Sequence, residues 1–324
     1  MAEQTGRRQV TSADVARAAG VSRATVSFVL NGTPNKSLTE ATRERVRQAA
    51  ERLGYAPSAA ARDLRRGRSD VVLMLEPDWP LSLARAELAR ELSVGLAAAG
   101  LVLLTHRLDD GGTSIAHLRR ALDAAAVIRF RSARPPVPFS PNAVELDVHL
   151  FGEGPLHFSQ DRVGGIQAEH LLGRGHTRLG YALPPGPTGA ELARGRAEGV
   201  RRTCAGHGRD APVALVVEPA APGAAVRAFL DAGVTAVCAF NDDVAMALLA
   251  GLRGLGRRAP GHLAVVGVDD NPPSAFTDPP LTTVRFDGPR TARVLTGVTV
   301  DALAGRAVGP TELLFAELVV RESA

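Results

Sequence analysis

Three observations predict an α/β protein with a small helical unit at its front. Residues 10–54 hold three short helical patterns, each with cap or stop residues. From Ser69 onward, short apolar runs alternate with helical patterns, which implies parallel doubly wound sheets. Charge divides at the same place. Residues 1–68 carry 13 Lys/Arg against 6 Asp/Glu, whereas residues 69–324 carry 25 against 28.

Composition narrows the function classes. With 45% hydrophobic and 22% charged residues, the chain is expected to build packed cores. At 324 residues it has room for two or three units. No apolar run approaches the ~18 residues of a membrane span, so no membrane partner is expected. MAEQTGRRQV lacks the apolar region of a secretory signal, and a cytoplasmic location is expected. Cys204 and Cys238 form no CxxC pair, which argues against a disulfide framework or a thiolate metal site. A basic end on a mildly acidic body is the charge outline of a nucleic-acid reader; the plain alternative is a solvated basic tail.

The front reads as follows. Thr11-Ser-Ala-Asp14 is a capping-box pattern, and Val15, Ala16 and Ala19 fall on one helical face. Gly20 stops that helix, and Ser22 offers a second N-cap. The next helix, Arg23 to Leu30, turns Val26, Val29 and Leu30 inward. The pair forms a helix-turn-helix. A third helix starts near Thr39, carries Val46, Ala49, Ala50 and Leu53 inward, and ends at Gly54. Tyr55-Ala-Pro57 breaks the chain. The stretch 58–67 has helix propensity but is too short to be stable alone.

In the body, DVVLMLE (70–76), LVLLTHR (101–107) and AVIRF (126–130) read as buried strands, with LARAELARELSVGLAAAG and SIAHLRRALDA as helices between them. RLGYAL, ALVVE, AVCAF and LAVVGV then alternate with GRAEGVRRTC, AAVRAFLDAG and DDVAMALLAGLRG. Some 250 residues suffice for two such lobes, and ligands in these folds settle beyond the carboxyl ends of strands.

The order of residues is more specific. VTSADVARAAGVSRATVSFVLN and TRERVRQAAERLGYAPSAAARDLRRGRS resemble the headpiece of the lactose/galactose-repressor (LacI/GalR) family nearly position by position. DRVGGIQAEHLLGRGHTRLGY (161–181), AFNDDVAMA (239–247), VVGVDD (265–270), PPLTTV (279–284) and ELVVRES (317–323) extend the resemblance. It implies a three-helix helix-turn-helix headpiece over 1–57 and a hinge helix over 58–68. Residues 69–324 would then be a two-lobed, periplasmic-binding-protein-like effector and dimerisation domain.

The resemblance also assigns residues. Arg23, Ala24 and Phe28 match the main base readers of the second helix in the major groove. Arg23 suits a guanine O6/N7 edge, while Ala24 and Phe28 offer apolar contact, for example to thymine methyls. Packing is the plain alternative for Phe28. Ser22, Thr25, Ser27 and Asn31 would fix register on phosphates, although Thr25 and Ser27 can bond back to their own helix. Leu64 takes the place of a leucine that wedges into the minor groove when two hinges meet, with Ala61 on the same face. Arg65, with Arg62, Arg66 and Arg68, would attract phosphates. In the body, Arg196, Asn241 and Asp269 match effector-contacting positions and suit a polyhydroxylated or heterocyclic ligand. Their alternatives are a helix cap at Asn241-Asp242 and a structural ion pair at Asp269.

Departures from the family pattern touch both halves. Asn31 to Thr42 is about two residues longer than in well-known members. EPDWPLSLARAE lacks the usual aromatic-bearing segment, RFRSARPPVPFSPNAV is shortened and proline-rich, and Gly288 stands where relatives often carry an aromatic. An altered pocket is therefore expected.

Enzyme motifs are missing: no GxSxG, no HExxH, no GxGxxG after a strand. Lys36-Ser37 is not the end of a phosphate loop, because Asn35 replaces the required glycine. The eight histidines show no metal-ligand spacing, and no cofactor or metal is expected. The sequence thus reads as a non-enzymatic regulator, a repressor that binds a pseudo-palindromic DNA operator as a homodimer under control of a sugar-like or nucleobase-like small molecule. The alternatives are a DNA-binding regulator with a vestigial pocket and a solute-binding protein.

Overall fold

The structure is a computed structural model that describes residues 10–30, 38–55, 69–77, 79–80, 82–108, 113–131, 139–150 and 154–324. The chain forms two compact units, Met1–Ser69 and Asp70–Ala324.

In the first unit, α1 (Ser12–Ala19), α2 (Arg23–Leu30) and α3 (Glu40–Leu53) enclose one small core. Asp14 reaches back to Thr11, accepting from its backbone N–H at 3.0 Å and its hydroxyl at 2.7 Å. The reciprocal capping box read from the sequence is present, and the Asp14 carboxylate accepts from the Thr11 hydroxyl as well. Gly20 and Gly54 end α1 and α3 at φ 65° and 62°, where a side chain would be strained. Val15, Ala16, Ala19, Val26, Val29, Val46, Ala49 and Ala50 are buried, and Leu30 packs on them partly. Leu53, expected inside, is exposed at the outer edge of the last α3 turn.

The second unit holds two six-stranded sheets. The first lobe is built from β1 (Val71–Glu76), α4 (Leu83–Ala98), β2 (Val102–Arg107), α5 (Thr113–Ala121), β3 (Ala126–Arg131), β4 (Val144–His149) and β5 (Leu156–His157). The chain then builds the second lobe from α6 (Gln160–Gly173), β6 (Leu179–Leu183), α7 (Ala190–Gly206), β7 (Val213–Val216), α8 (Pro222–Asp231), β8 (Ala236–Ala239), α9 (Asp242–Gly254), β9 (Ala264–Val268) and β10 (Thr282–Phe286). It returns through α10 (Gly288–Leu303) and β11 (Thr311–Glu312) and ends with β12 (Ala316–Val319). Strand order is β11-β5-β4-β3-β1-β2 in one sheet and β12-β10-β9-β8-β6-β7 in the other. The paired strands run parallel except β10 with β12.

The chain therefore passes between the lobes three times, after β5, β10 and β11. Central strands β8 and β9 are buried at every residue, as expected for strands covered on both faces. Five strands, β4, β5, β10, β11 and β12, were not expected. β4, VELDVH, alternates apolar and acidic residues, and Arg129 of β3 neutralises its Glu145 and Asp147.

Helices α6 and α7 meet backbone to backbone at two glycines. A Cβ at Gly164 would lie 1.9 Å from the Arg196 carbonyl oxygen, and one at Gly199 1.8 Å from that of Asp161. Only glycine permits this approach, and it brings Gln160 of α6 against Arg196 of α7.

Candidate functional site

The first unit presents a polar and apolar surface on α2. Ser22 caps the helix: its Oγ accepts from the Thr25 N–H at 3.1 Å and shares a hydrogen bond with the Thr25 hydroxyl at 2.9 Å. Both residues thus bond to their own helix, the alternative the sequence left open for Thr25. Arg23, Ala24 and Phe28 lie opposite buried Val26 and Val29 and are exposed, Phe28 at 38%. Phe28 stays partly exposed and outside the core cluster, although the other face of its helix is packed. Ser27 is half-buried beside them. Asn31, Ala61, Leu64 and Arg65 lie outside the described residues.

The second unit brings Arg196, Asn241 and Asp269 to one cavity between the lobes. Asn241 and Asp269 stand just beyond the carboxyl ends of β8 and β9, where a parallel sheet places its ligands. Arg196 is buried. Its Nε donates to Gln160 Oε1 at 3.0 Å and its Nη1 to the Phe240 carbonyl at 2.6 Å. The guanidinium lies 5.0 Å from the Phe240 ring centre and 5.7 Å from that of Phe286, which is within cation–π range. Burial lowers its pKa, and nearby Asp269 opposes the shift.

Asn241 has two roles. Its Oδ1 accepts from the Val244 N–H at 3.0 Å and caps α9, which leaves the amide NH2 for the cavity. Asp269 follows β9 at φ 111°, with Asp270 next at φ 50°. These are uncommon angles for non-glycine residues, and such strain clusters at functional turns. Burial raises the Asp269 carboxyl to about 6, with Arg196 pulling the other way. Among the described residues Asp269 makes no ion pair, so the structural-pair alternative is not what is observed. That pairing belongs to Asp270, which meets Arg321 at 2.7 Å and Arg285 at 3.5 Å.

Sequence reasoning missed much of the lining. The loop after β1, expected to lack an aromatic contact, supplies Trp79, whose ring meets Phe130 edge-on at 5.3 Å between centres. Arg85 of α4 holds this wall: it pairs with Glu76 at 3.0 Å and donates to the Trp79 and Pro80 carbonyls at 3.2 and 2.8 Å. Phe158 and Phe286, at the first two crossovers, face each other at 6.0 Å. Gly288 does line the cavity, but a Cβ there would come 3.3 Å from the Ala84 carbonyl and Leu88 nitrogen, so α4 occupies the room of a larger residue. A further carboxylate, Asp242, is fully buried behind Asn241. It accepts from the Thr283 hydroxyl at 2.6 Å and the Asn271 N–H at 2.7 Å. Burial, with Asp269 and Asp270 adding to it, raises Asp242 to about 7 despite those two bonds. The signal for Asp242 was present in AFNDD, where an acid follows a helix cap. Nothing in the sequence placed Trp79 or Arg85.

The cavity encloses about 80 Å³. The Leu83 N–H of α4 donates to Asn271 Oδ1 at 3.3 Å, a bond from one lobe to the other. Among the described residues no His/Cys/Asp/Glu cluster has the arrangement of a metal site, and no helix is long and apolar enough to cross a membrane.

Residues 11–58 match the family model for bacterial regulatory proteins of the lacI family, and residues 168–324 match a periplasmic binding protein-like domain. The HTH-type transcriptional regulator CelR of Thermobifida fusca is 31% identical over 98% of this chain and 99% of its own. The regulator GalR of Escherichia coli is 32% identical over 85% of this chain and 84% of its own. Among solved structures, a lac repressor dimer bound to operator and an anti-inducer has a TM-score of 0.81 at 24% identity, covering 98% of this chain and 99% of that one. A CelR–cellobiose complex has a TM-score of 0.63 at 26% identity, covering 98% of this chain and all of that one. Alignment from end to end with relatives above 30% identity, a lacI-type headpiece and a two-lobed body together establish that the chain belongs to the LacI/GalR family of DNA-binding transcriptional regulators.

Proposed function

We propose that this regulator is a repressor that binds a pseudo-palindromic operator as a homodimer, with a small-molecule effector held in the interlobe cavity. The observation that carries the reading is the exposed α2 face: Arg23, Ala24 and Phe28 point away from the core beside a helix start capped by Ser22. Arg23 then grips a guanine edge, Ala24 and Phe28 meet thymine methyls, and Ser22, Thr25, Ser27 and Asn31 set register on phosphates. Residues 1–57 act as the headpiece and 58–68 as the hinge, where Ala61 and Leu64 enter the minor groove and Arg65 meets phosphate. Arg196, Asn241 and Asp269 contact the effector. The protein works in the cytoplasm without catalysing a reaction.

Fluorescence anisotropy with an inverted-repeat duplex selected by the full-length chain tests the dimer. The expected stoichiometry is two chains per duplex, with one half-site alone bound far more weakly. Tight binding of one chain to a single half-site contradicts it. A second reading, a regulator whose pocket answers to no small molecule, is favoured by the small cavity volume. It predicts unchanged thermal stability across a panel of sugars, nucleobases and aromatics.

A further inference from the structure

We infer that Asn271 is a positioning residue of the cavity: its side-chain oxygen caps helix α4 of the other lobe at Leu83 and holds two lining segments together without help from a ligand. As a control on effector binding, this rests on the reading that the cavity is the effector site. The bond itself needs no effector, so the two can fail separately.

Leu83 opens α4, and an N–H in the first turn of a helix has no partner inside that helix. Ser82, the N-cap, is spent on another of these donors, accepting the Arg85 N–H at 3.4 Å. The Leu83 N–H donates instead to Asn271 Oδ1 at 3.3 Å, a partner 188 residues away in the chain. One lobe thus supplies a helix cap to the other. Ser82, Ala84 and Arg85 around Leu83 line the cavity, and so does Asp269 just before Asn271. The bond therefore joins the two stretches of chain that carry these lining residues.

Asn271 is anchored in its own lobe at both backbone polar atoms. Its N–H donates to the buried Asp242 carboxylate at 2.7 Å, which also takes the Thr283 hydroxyl of β10 at 2.6 Å. Its carbonyl accepts from the Ser274 N–H at 2.8 Å, at the start of the short 3-10 helix Pro272–Phe276. Just before it the chain turns through positive φ at Asp269 and Asp270, and Arg321 holds the Asp270 carboxylate at 2.7 Å. The Leu83 bond, by contrast, is long for an N–H···O bond. Parting the lobes returns both partners to water, so the bond biases the body toward the closed form without locking it. A ligand that touches both lobes then meets a lining already assembled.

Trp79 reports on this interface. It is 9% exposed and lies among Leu183, Pro187 and Gly189 of the second lobe. Beside it, Pro80 comes so near that a Cβ at Gly189 would lie 3.0 Å from its ring. Hydroxyl-radical footprinting of full-length protein, with no ligand added, measures the rate at which Trp79 is oxidised. Leu83→Pro deletes the N–H at a helix position that accepts proline, and Leu83→Ala keeps it. Asn271→Ala deletes the acceptor, and Asn271→Asp keeps one. Trp79 oxidation is expected to rise about two- to tenfold in Leu83→Pro and in Asn271→Ala, and to stay near the wild-type rate in Leu83→Ala and Asn271→Asp. Oxidation of Tyr181, fully buried in the second lobe, should not change in any variant. A wild-type rate in either Leu83→Pro or Asn271→Ala overturns the inference, and so does an equal rise in Leu83→Ala or Asn271→Asp. A rise at Tyr181 in step with Trp79 overturns it too, because it marks a general loosening of the fold. None of these outcomes involves an effector, and the panel of thermal melts decides separately whether the cavity binds one.

Discussion

Arg23 and Asp242 show how surroundings set apart two ionisable side chains, one exposed and one fully buried. Arg23 is exposed at the start of α2, and under the proposed function its planar donors read a base edge in two hydrogen bonds. Arg23→Ala is expected to reduce discrimination between operator and a variant lacking the guanine by roughly 1–3 kcal/mol, measured by competition binding. Arg65→Ala should instead weaken all duplexes alike and flatten the salt dependence by about one unit of slope. Equal losses from both variants on every sequence would contradict the two roles.

Asp242 is fully buried, and its carboxyl is raised from 3.8 to about 7. The unfolded chain releases that proton near the ordinary value, so folding favours the protonated acid. Its contribution to stability is greatest at low pH and is lost as pH climbs through the interval up to about 7. Wild-type Tm should therefore fall between about pH 4 and 7 more steeply than that of Asp242→Asn, with the two curves running parallel above about pH 8. His170 and His176, whose pKa values burial lowers, act in the opposite sense within that range, and the comparison of the two proteins removes them. Curves parallel at every pH would show that Asp242 is ionised throughout.

Among elements, the crossing of α6 and α7 most directly sets the cavity, because the Gly164 contact falls on the backbone of Arg196 itself. Gly164→Ala forces a Cβ into that carbonyl and is expected to cost about 1–3 kcal/mol or more, with Arg196 displaced from Gln160. Gly173→Ala, at the end of the same helix with open space around it, should be neutral or stabilising by up to about 1 kcal/mol. Thermal melts of the two variants check this, and similar Tm values would mean the helices are free to separate.

The same elements show what the sequence makes legible. Strands β1, β8 and β9 were visible because each is a continuous apolar run bounded by turns, and α1 to α3 because caps and stops mark their ends. β4 was not, because its acids are neutralised by Arg129 of the neighbouring strand, a partner fifteen or more residues away that local pattern cannot supply. Within the cavity, Asn241 and Asp269 were legible from their places at strand ends. Trp79 and Arg85 were not, since a loop ring and a helix arginine become one wall only through tertiary packing.

At the scale of the whole body, three crossovers join two lobes that also touch through the Leu83–Asn271 bond. At the first and third crossovers, the Ser159 hydroxyl donates to Glu312 at 2.7 Å, and His157 lies 3.7 Å from the same carboxylate. A ligand that parts or draws together the lobes must alter these few contacts, which gives a small molecule a lever on the body's shape. Under the proposed function that change reaches DNA through the 58–68 hinge, and Leu64→Ala should reduce operator bending more than base preference, as read by circular-permutation gel shifts. An unchanged bend would remove the wedge. The central claim, that the front of this chain reads DNA as a symmetric pair, is tested most directly by selecting duplexes from a random pool with full-length protein at about 0.15 M salt, where non-specific phosphate contacts are partly screened. The expected result is an inverted repeat whose guanine preference disappears in Arg23→Ala; recovery of no sequence above the starting pool would contradict the account.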